Sequence, residues 1–529
     1  MQQLQVNIVW LKRDLRIQDH AALYEAARQG PVLPIFTWDE TVWSSPDYAK
    51  QHVMFVRECL AVLKTDLQAI GLDLFESTDG ILHVLNSLYK SHRIAGLYSH
   101  EETGNQHTYA LDISVAAWCR QHQVTWHEYA QTGVVRRLKN RDSWNAIWQK
   151  RMSAPLYPLP AATLAQVQDT QIFNTNIDDA LHLQKPQADK PLRQKGGRHH
   201  ALKTLNSFLN GRASQYRGGI SSPISSVEAG SRISPYLAWG VLSMKQVMHA
   251  LWLQRVRCKQ APDKYPKKLE SGLLGFESRL HWHCHFMQKL ESEPEMEYQN
   301  LHSALNNVRD ETCADAQSRE KLQKWMHGKT GWPLVDACKA MLRETGWINF
   351  RMRAMLMSTA SYLYWLHWRE TGLHLAREFL DYEPGIHWPQ VQMQSGTTGI
   401  NTLRIYNPVK QAKDQDPDGH FVRRWIPALK NVPTTWIFEP WLMTPELQMQ
   451  YQCIIGQDYP APLMTIESVL KHARAKLAQA KHGANHSSET KRIIEKHASR
   501  KSKSAKKVTT KKAPKQSTPD ALGTQQSLF

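Results

Sequence analysis

The feature that most constrains this chain is a change in periodicity. Over the first 130 or so residues, short apolar runs alternate with segments of helical spacing. Such runs fit buried parallel strands, and their alternation with helices predicts a doubly wound parallel α/β sheet. The runs that we interpret as strands are Val6–Leu11, Pro31–Thr37, a short one from Leu74, Ile94–Ser99 and Val124–Tyr129. No GxGxxG motif is present, so the usual dinucleotide site is not indicated.

The rest of the chain divides by composition. Apolar residues at i, i+3 and i+4 predict an almost entirely helical segment from His199 to about Arg474. A stretch rich in Pro, Gln and Asp precedes it and is typical of a linker. We therefore predict an α/β domain at 1–135, a linker at 136–198, an all-α domain at 199–475 and a tail at 476–529.

The charge of the chain is strongly positive. Lys and Arg number 66 against 48 Asp and Glu, a net charge of +18, which favours a polyanionic partner. Part of this excess lies in a Lys-rich stretch from about Lys481, which cannot bury enough apolar area to fold and is predicted to be disordered. Two interpretations stay open for it: non-specific binding of DNA phosphates, or a solubilising tail. It has no amphipathic apolar face, which disfavours membrane binding.

Cysteine usage and hydropathy predict a reduced, cytoplasmic protein. None of the seven cysteines forms a CxxC pair, so neither a zinc site nor an iron–sulfur cluster is indicated, and no metal is expected. No apolar run of about 18 residues suggests a membrane span, and the start of the sequence lacks a signal-like apolar stretch.

The segment VNIVWLKRDLRIQDHAAL, from Val6, resembles the opening of the photolyase and cryptochrome family. Within it, Arg13, Asp14 and Arg16 are expected to serve domain packing and ion pairing. The resemblance implies flavin adenine dinucleotide (FAD) as cofactor and a second, antenna chromophore of folate or flavin type in the first domain. The segment His100–Asn105 follows a predicted strand, where α/β ligands bind, and is either an edge of that antenna site or a capped loop.

The helical domain carries the closer resemblance. Gly230–Gly240, GSRISPYLAWG, is similar to the family's flavin-phosphate motif, with hydroxyl side chains at a helix start. This similarity implies that the cofactor is bound by Ser231, Arg232, Ile233, Ser234 and, upstream, Tyr216.

Three further segments match the family. They are Gly328–Ala337, Gly346–Arg353 and the Asp381-Tyr382-Glu383 triplet, which resembles an Asp-x-Asp pair beside the isoalloxazine ring. We expect Arg353 and Asp381 to form an ion pair, in which the cation stabilises reduced flavin. Together the similar segments cover roughly residues 5–440.

The lesion pocket departs from the pattern of cyclobutane-dimer photolyases. Their Glu, Trp and Arg correspond here to Arg279, Trp282 and His283, so only the tryptophan is retained. Trp282 can stack on an extruded base pair. By the same alignment His283 falls among the cofactor residues, whereas Phe350 and Ala354 replace an Asn and a Met of the pocket.

The electron path also departs from the family. His387 or Asn401 would face flavin N5, and Val391 holds the place of the tryptophan nearest the flavin. Trp368 matches the middle tryptophan. Candidate substitutes for the missing one are Tyr364, Trp365 and Trp388.

DNA contacts are implied by the resemblance and by basic residues near the end of the helical domain. The candidates are Arg279, Trp282, Phe350, Arg351, Met393, Arg404, Lys410, Gln411, Arg423 and Arg424. The final Gln525–Phe529 segment resembles the peptide by which bacterial repair proteins dock on the sliding clamp; the alternative is a terminus without function.

The sequence thus predicts a monomeric enzyme that repairs pyrimidine dimers in DNA, cyclobutane dimers first, with light-driven electron transfer from reduced FAD. The proposed catalytic residues are Trp282, Trp368 and His387. The alternative is a cryptochrome, a blue-light photoreceptor without repair activity. A DNA-binding protein with a vestigial flavin site is disfavoured, because the flavin motifs are intact.

Overall fold

The computed structural model describes residues 4–166, 173, 188–306, 308–310, 313, 315–401, 405–480 and 486–498. Its first part is a five-stranded sheet in which every pairing is parallel, with strand order β3-β2-β1-β4-β5. The strands are β1 Leu4–Leu11, β2 Val32–Thr37, β3 Phe75–Ser77, β4 His92–His100 and β5 Trp126–Tyr129. The predicted doubly wound sheet is confirmed, and its order reverses between β1 and β4, where such sheets bind ligands.

Six helices accompany the sheet or follow it directly. They are α1 Ala21–Gln29, α2 Glu40–Trp43, α3 Lys50–Gln68, α4 Ile81–Ser91, α5 Gln106–Gln121 and α6 Trp144–Ser153. Helix α4 was not predicted, and it packs its apolar residues against the sheet. Helix α6 lies within the segment predicted as a linker. Further along that segment, the backbone N–H of Val32 donates to the carbonyl of Thr163, so the chain runs beside β2.

The second part is helical, as predicted. Its helices begin with α7 Arg198–Asn210, α8 Tyr216–Gly219, α9 Ser226–Ala229, α10 Ser234–Ala238, α11 Met244–Gln260, α12 Leu269–Ser292, α13 Ala316–His327 and α14 Pro333–Thr345. They continue with α15 Phe350–Ser358, a π-helical turn at Thr359–Leu363, α16 Trp368–Glu378, α17 Pro384–Ser395, α18 Pro408–Gln415, α19 His420–Trp425, α20 Pro445–Gln450, α21 Ile466–Ala480 and α22 His486–His497.

Helix α22 corrects the prediction that structure ends near Lys481. Ile493 and His497 are buried, and Glu293 at the end of α12 pairs with Arg492, Lys496 and His497. This helix could not be predicted from its Lys-rich composition, because it packs against the rest of the chain through Glu293, some 200 residues away. The remaining tail from residue 499 lies outside the described residues.

One hydrophobic core joins the α/β and helical parts. It contains Phe55 of α3, which packs on Tyr236 of α10, and Trp43 of α2, stacked on Trp239. Gly240 has φ +59°, and a side chain there would collide with the carbonyl oxygen of Arg13, so this close approach requires glycine. In the described ranges, no helix is both long and apolar enough to cross a bilayer.

Candidate functional site

The centre of the candidate site is an ion pair between the start of α15 and the loop before α17. Arg353 contacts Asp381 through two parallel hydrogen bonds, Nη1–Oδ1 at 2.9 Å and Nη2–Oδ2 at 3.0 Å. The Asp381 side chain is 6% exposed. Burial opposes its ionisation, but the Arg353 cation and hydrogen bonds from Arg353 and Ser234 hold its pKa below the ordinary value. The predicted pair is therefore present.

A second arginine lies beside this pair. Arg232 has φ +61°, and its guanidinium lies 3.7 Å over the ring of Trp347. Burial lowers its pKa to about 10, although Asp381 acts in the opposite sense. Two cations thus share one carboxylate, which leaves a surplus of positive charge that an anionic ligand would neutralise.

The backbone of segment 230–234 is fixed by hydrogen bonds from two side chains that precede it in the sequence. Gln194 donates from Nε2 to the carbonyl of Arg232 at 2.8 Å, and Arg212 donates to the carbonyls of Gly230 and Ser231. Ile233 is buried in the core. Ser234 begins the five-residue α10 and hydrogen-bonds Asp381, so the predicted phosphate motif and the ring pair adjoin each other.

Helix α12 contributes three of the predicted residues. Arg279 hydrogen-bonds the phenol of Tyr216, which joins a DNA candidate to a cofactor candidate. Burial lowers the pKa of His283 to about 4, against the attraction of Asp381, and its Nδ1 is buried without a hydrogen-bond partner. Trp282 is half-buried, and its ring lies 4.9 Å from His285 and 5.7 Å from Phe286.

Tyr382 and Glu383 turn their side chains towards the α/β domain. The Tyr382 hydroxyl donates to Asp47, and Arg13 donates to Glu383 Oε2 at 3.0 Å. The sequence predicts that both side chains contact the cofactor. In the structure they instead contact Asp47 and Arg13 of the α/β domain, across the interface between the two domains. Only Glu383 Oε1 is left buried without a partner, and burial raises the pKa of this carboxyl to about 7.

Of the two candidates for flavin N5, the structure places His387 on α17 and Asn401 in the loop beyond it. His387 donates from Nε2 to the carbonyl of Gly372 at 2.9 Å, and burial lowers its pKa to about 4, so the ring is neutral near pH 7. The side chain of Asn401 accepts a hydrogen bond from Thr398, within its own loop.

Two glutamines that sequence reasoning missed share a stripe of α17 with Glu383 and His387. The spacing of i, i+4, i+7 and i+11 puts Gln390 and Gln394 on one helix face with them. Gln394 is 2% exposed, yet both its amide atoms lack a partner, and so does Oε1 of Gln390. Buried amides are normally hydrogen-bonded, so Gln390 and Gln394 have polar capacity that no described residue meets. The helical spacing alone would have revealed them.

The tryptophans near α17 form a compact group. Trp368 and Trp388 are fully buried with ring centroids 5.9 Å apart. A side chain on Gly372 would meet both the Trp388 ring at 2.7 Å and Val391 at 3.3 Å. The Trp388 indole therefore fills the space beside Val391, the position that lacks the expected tryptophan.

The basic DNA candidates differ in what they already contact. Lys410 is exposed and pairs with Asp414, and Arg424 is exposed over the ring of Trp425. Arg423 instead donates to the carbonyls of Asp418 and Val432, so its guanidinium is used within the fold. Arg404 lies outside the described residues.

The other DNA candidates lie closer to the core. Phe350 and Arg351 are half-buried at the start of α15. Met393 is buried on α17, and Gln411 on α18 keeps its Oε1 buried without a partner.

A narrow cavity of about 50 Å³ lies at the carboxyl ends of β1, β2 and β4. Trp43, Glu102 and Trp239 line it, and Glu102 Oε1 also accepts from the N–H groups of Thr103 and Gly104. Glu102 thus both lines this cavity and hydrogen-bonds its own loop, and the two interpretations of the segment His100–Asn105 stay predictions. Nearby, the Asp14 carboxylate lies 2.7 Å from Nδ1 of His100 and 3.1 Å from Nε2 of His20, both buried. Burial lowers the pKa of His100 to about 3, so its contact with Asp14 is a hydrogen bond from a neutral ring.

Two family models match the chain. Residues 7–140 match the model described as DNA photolyase, and residues 276–479 match the FAD binding domain of DNA photolyase. A deoxyribodipyrimidine photo-lyase of Alkalihalophilus pseudofirmus is 31% identical over 274 residues, 51% of this chain and 52% of that protein. Cryptochrome-2 of Arabidopsis thaliana is 26% identical over 510 residues, 90% of this chain and 78% of the relative. The fold and these matches place the chain in a class of FAD-binding flavoproteins.

Solved structures show the same fold. A class III photolyase from Agrobacterium tumefaciens superposes with a TM-score of 0.75 at 21% identity, covering 91% of this chain and 99% of its own. An archaeal photolyase from Sulfolobus tokodaii, solved with two FAD molecules, gives 0.69 at 22% identity, covering 90% of this chain and all of its own. The chain belongs to the photolyase and cryptochrome family.

The residues present fit an FAD molecule. The surplus cation at Arg232 suits the diphosphate, and the unpartnered atoms of His283 and Gln390 suit the polar edge of a flavin ring. Arg232 and His283 lie close enough to Asp381 for its charge to raise their pKa values against the effect of burial. The unmet hydrogen-bonding capacity of the unpartnered atoms is costly unless a ligand completes it.

Proposed function

We propose that this protein is an FAD-dependent enzyme that repairs pyrimidine dimers in DNA under blue light, with cyclobutane dimers as the first substrate. The observation that carries the proposal is the continuity of α12: His283 faces the Asp381 site, while Trp282, the neighbouring residue, is half-buried and offers an aromatic face. A partly exposed aromatic ring next to a residue of the cofactor site is what a flipped base pair needs for stacking.

The chain's own residues would divide the work as follows. Arg353 and Asp381 hold the flavin ring, and the Arg353 cation favours negative charge there. Arg232, Ser231 and Ser234 bind the diphosphate. The bound flavin supplies the electron that splits the dimer. Trp282 and Arg279 position the lesion, and the buried α17 stripe excludes water from it.

The unusual pocket still offers polar groups to a pyrimidine. Arg279 replaces the glutamate of cyclobutane-dimer enzymes, and it already hydrogen-bonds Tyr216. Gln394 carries an amide donor and an acceptor that both lack partners. We infer that amide and guanidinium groups read the lesion edge in place of a carboxylate.

The direct test mixes purified, chemically reduced protein with an oligonucleotide that carries one thymine cyclobutane dimer, in blue light and in darkness. Repair in light alone supports the proposal. No repair of this lesion by flavin-loaded protein would redirect the assay to (6-4) photoproducts. Failure on both lesions would overturn the repair function.

The alternative function is a photoreceptor of the cryptochrome type. The docked helix α22 favours it, because Glu293 holds that helix through three basic residues that a change in local charge can release. A photoreceptor of this kind would show light-dependent release of α22 and no repair, which hydrogen exchange in light and darkness would detect.

For the second chromophore, we propose the cavity at the ends of β1, β2 and β4. A flavin or folate ring needs several times its present volume, so Trp43 would have to leave its stack on Trp239. Reconstitution with each chromophore, followed by energy transfer to FAD, tests this. Loss of transfer in Trp43→Ala would contradict the site, because that change enlarges it.

DNA phosphates are proposed to contact Lys410, Arg424 and the Lys-rich tail, and clamp binding through Gln525–Phe529 stays a prediction outside the described residues. A monomeric state and a cytoplasmic location are also predictions. Gel filtration of the protein alone would test whether it is a monomer, and gel filtration with the sliding clamp would test whether the two bind.

A further inference from the structure

A row of side chains on α12 leads from Trp282 to the docked helix α22. Trp282, Phe286, Lys289 and Glu293 follow a spacing of i, i+4, i+7 and i+11, so they share one helix face. The rings of Trp282 and Phe286 are 5.7 Å apart, and Nζ of Lys289 lies 5.0 Å from the centre of the Phe286 ring. Lys289 is therefore about 10 Å along the helix axis from the proposed stacking residue.

We propose that Lys289, Arg141 and the end of α22 bind a DNA phosphate next to the lesion, so that the docked helix is part of the DNA-binding surface. The inference rests on the proposed function and deepens it, because it adds a phosphate site to the stacking site at Trp282. Phosphate contacts fix the register of the DNA, whereas the aromatic contact receives the extruded pair.

Lys289 contributes a positive charge that no described carboxylate neutralises. Its side chain is half-buried, and it forms no ion pair with any residue that the structure describes. Burial lowers its pKa to about 8, and the nearby Arg141 cation acts in the same sense. A bound anion would offset both the lost hydration and the repulsion between the two cations.

Arg141 reaches this surface from the short turn that precedes α6. Its guanidinium lies 4.3 Å from the Trp144 ring and donates to Nδ1 of His285. Burial lowers the pKa of His285 to about 2, so the ring is neutral and can accept this hydrogen bond. The His285 ring lies 4.9 Å from the Trp282 ring, which connects Arg141 to the stacking residue through a single side chain.

The end of α22 adds its own basic residues to this surface. His497 is 1% exposed and its Nε2 lies 3.2 Å from Glu293, while its Nδ1 is buried with no partner among the described residues. Burial lowers the pKa of His497, and the Lys289 cation adds to that effect, so the two side chains are near each other. Helix α22 also packs against Arg141–Ser143, so it adjoins both cations.

DNA fits this surface better than an acidic protein does. The rings of Trp282 and Phe286 adjoin the cations, so a base can stack while a phosphate of the same strand reaches Lys289. The separation of about 10 Å corresponds to about three phosphates along one strand of B-form DNA. The Lys-rich tail also continues from this place, because Ala498, the last described residue, follows His497 directly.

The test uses flavin-loaded, full-length protein in darkness, and measures fluorescence anisotropy with a duplex that carries one thymine cyclobutane dimer and with the undamaged duplex. Lys289→Met keeps an apolar stem on Phe286 and removes the charge; Lys90→Met, at an exposed lysine of α4, is the matched control. Affinity for the damaged duplex should fall several-fold in Lys289→Met alone. The slope of log affinity against log salt should decrease by about 1. Equal affinities and slopes in the two variants would overturn the proposal.

A second pair of variants separates the helix from the charge of Glu293. If Glu293 acted only as a negative charge near the DNA, Glu293→Gln should bind the damaged duplex more tightly. If α22 belongs to the surface, as proposed, loss of its docking should weaken binding several-fold, while Glu295→Gln binds as the wild type does. Tighter or unchanged binding by Glu293→Gln would overturn the role of α22.

The competing occupant of this surface is an acidic protein, for which polyglutamate serves as the probe. Unchanged DNA binding in Lys289→Met, together with weaker binding of polyglutamate, would overturn the phosphate site in favour of that partner. Equal binding of the damaged and undamaged duplexes by the wild type would count against the proposed function. The effect of Lys289→Met on the salt slope with undamaged duplex would then still decide whether the phosphate site exists.

Discussion

At the scale of single residues, the site depends on one carboxylate that serves two arginines. Replacing Asp381 with Asn leaves Arg353 and Arg232 without a counter-charge in a buried setting. We expect the free energy of unfolding to fall by about 3 kcal/mol and flavin to be lost, because breaking a buried pair strands the remaining charge. Denaturant unfolding and the flavin-to-protein absorbance ratio measure these effects. Lys410→Ala, at an exposed pair, is the control.

Glu383 gives a pH-dependent prediction. Burial raises its pKa from 4.5 to about 7, so the folded state binds a proton more tightly than the unfolded state. Its contribution to stability is complete below about pH 4.5 and is lost as the pH rises through about 7. Glu383→Gln should therefore flatten the decline in stability across this window. An unchanged slope in urea unfolding midpoints would show that Arg13 keeps the carboxylate ionised throughout.

Sequence reasoning succeeded where a segment resembles a family motif. The Arg353–Asp381 pair, which joins two such segments 28 positions apart, was expected from that resemblance, and the structure contains it. Sequence reasoning could not foresee that Tyr382 reaches Asp47 or that Glu383 reaches Arg13. Those contacts join residues more than 330 positions apart, and only the packing of the two domains brings them together.

At the scale of elements, α12 and α17 act as the two walls of the site. Gly385 of α17 would collide with Met287 of α12 if it carried a side chain, so the walls touch there. The strands were foreseeable from their apolar runs. The sequence offered Trp388 as one of three candidates for the place of the missing tryptophan, and it could not choose among them, because the choice depends on the empty side-chain position of Gly372 in a third helix.

Helix α22 is held mainly by Glu293. Burial opposes its ionisation, but hydrogen bonds from His497 and Lys496 lower its pKa to about 2, so the carboxylate is ionised near neutral pH. Glu293→Gln should weaken the docking, and trypsin should cleave at Lys491 and Arg492 several-fold faster. Glu295→Gln, an exposed neighbour, is the matched control. Equal cleavage of both variants would contradict the role of Glu293.

At the scale of the whole molecule, charge is concentrated in the tail. Residues 499–529 contain eight basic side chains and one acidic side chain, a net +7 of the total +18. Removing them should weaken binding to undamaged duplex DNA and make the plot of log affinity against log salt less steep. Fluorescence anisotropy at several salt concentrations measures this slope. An unchanged slope would favour a solubilising or clamp-binding tail.

The shared core between the α/β and helical parts bears on how such a protein can be divided. Trp43 stacks on Trp239, and the backbone of residue 13 touches Gly240 so closely that no side chain fits between them. The two regions are therefore not modules that tolerate exchange. Calorimetry should give one cooperative melting transition. A chimera that carries a relative's first 135 residues should pack poorly against the helical part, because the contacts between the two parts would no longer match.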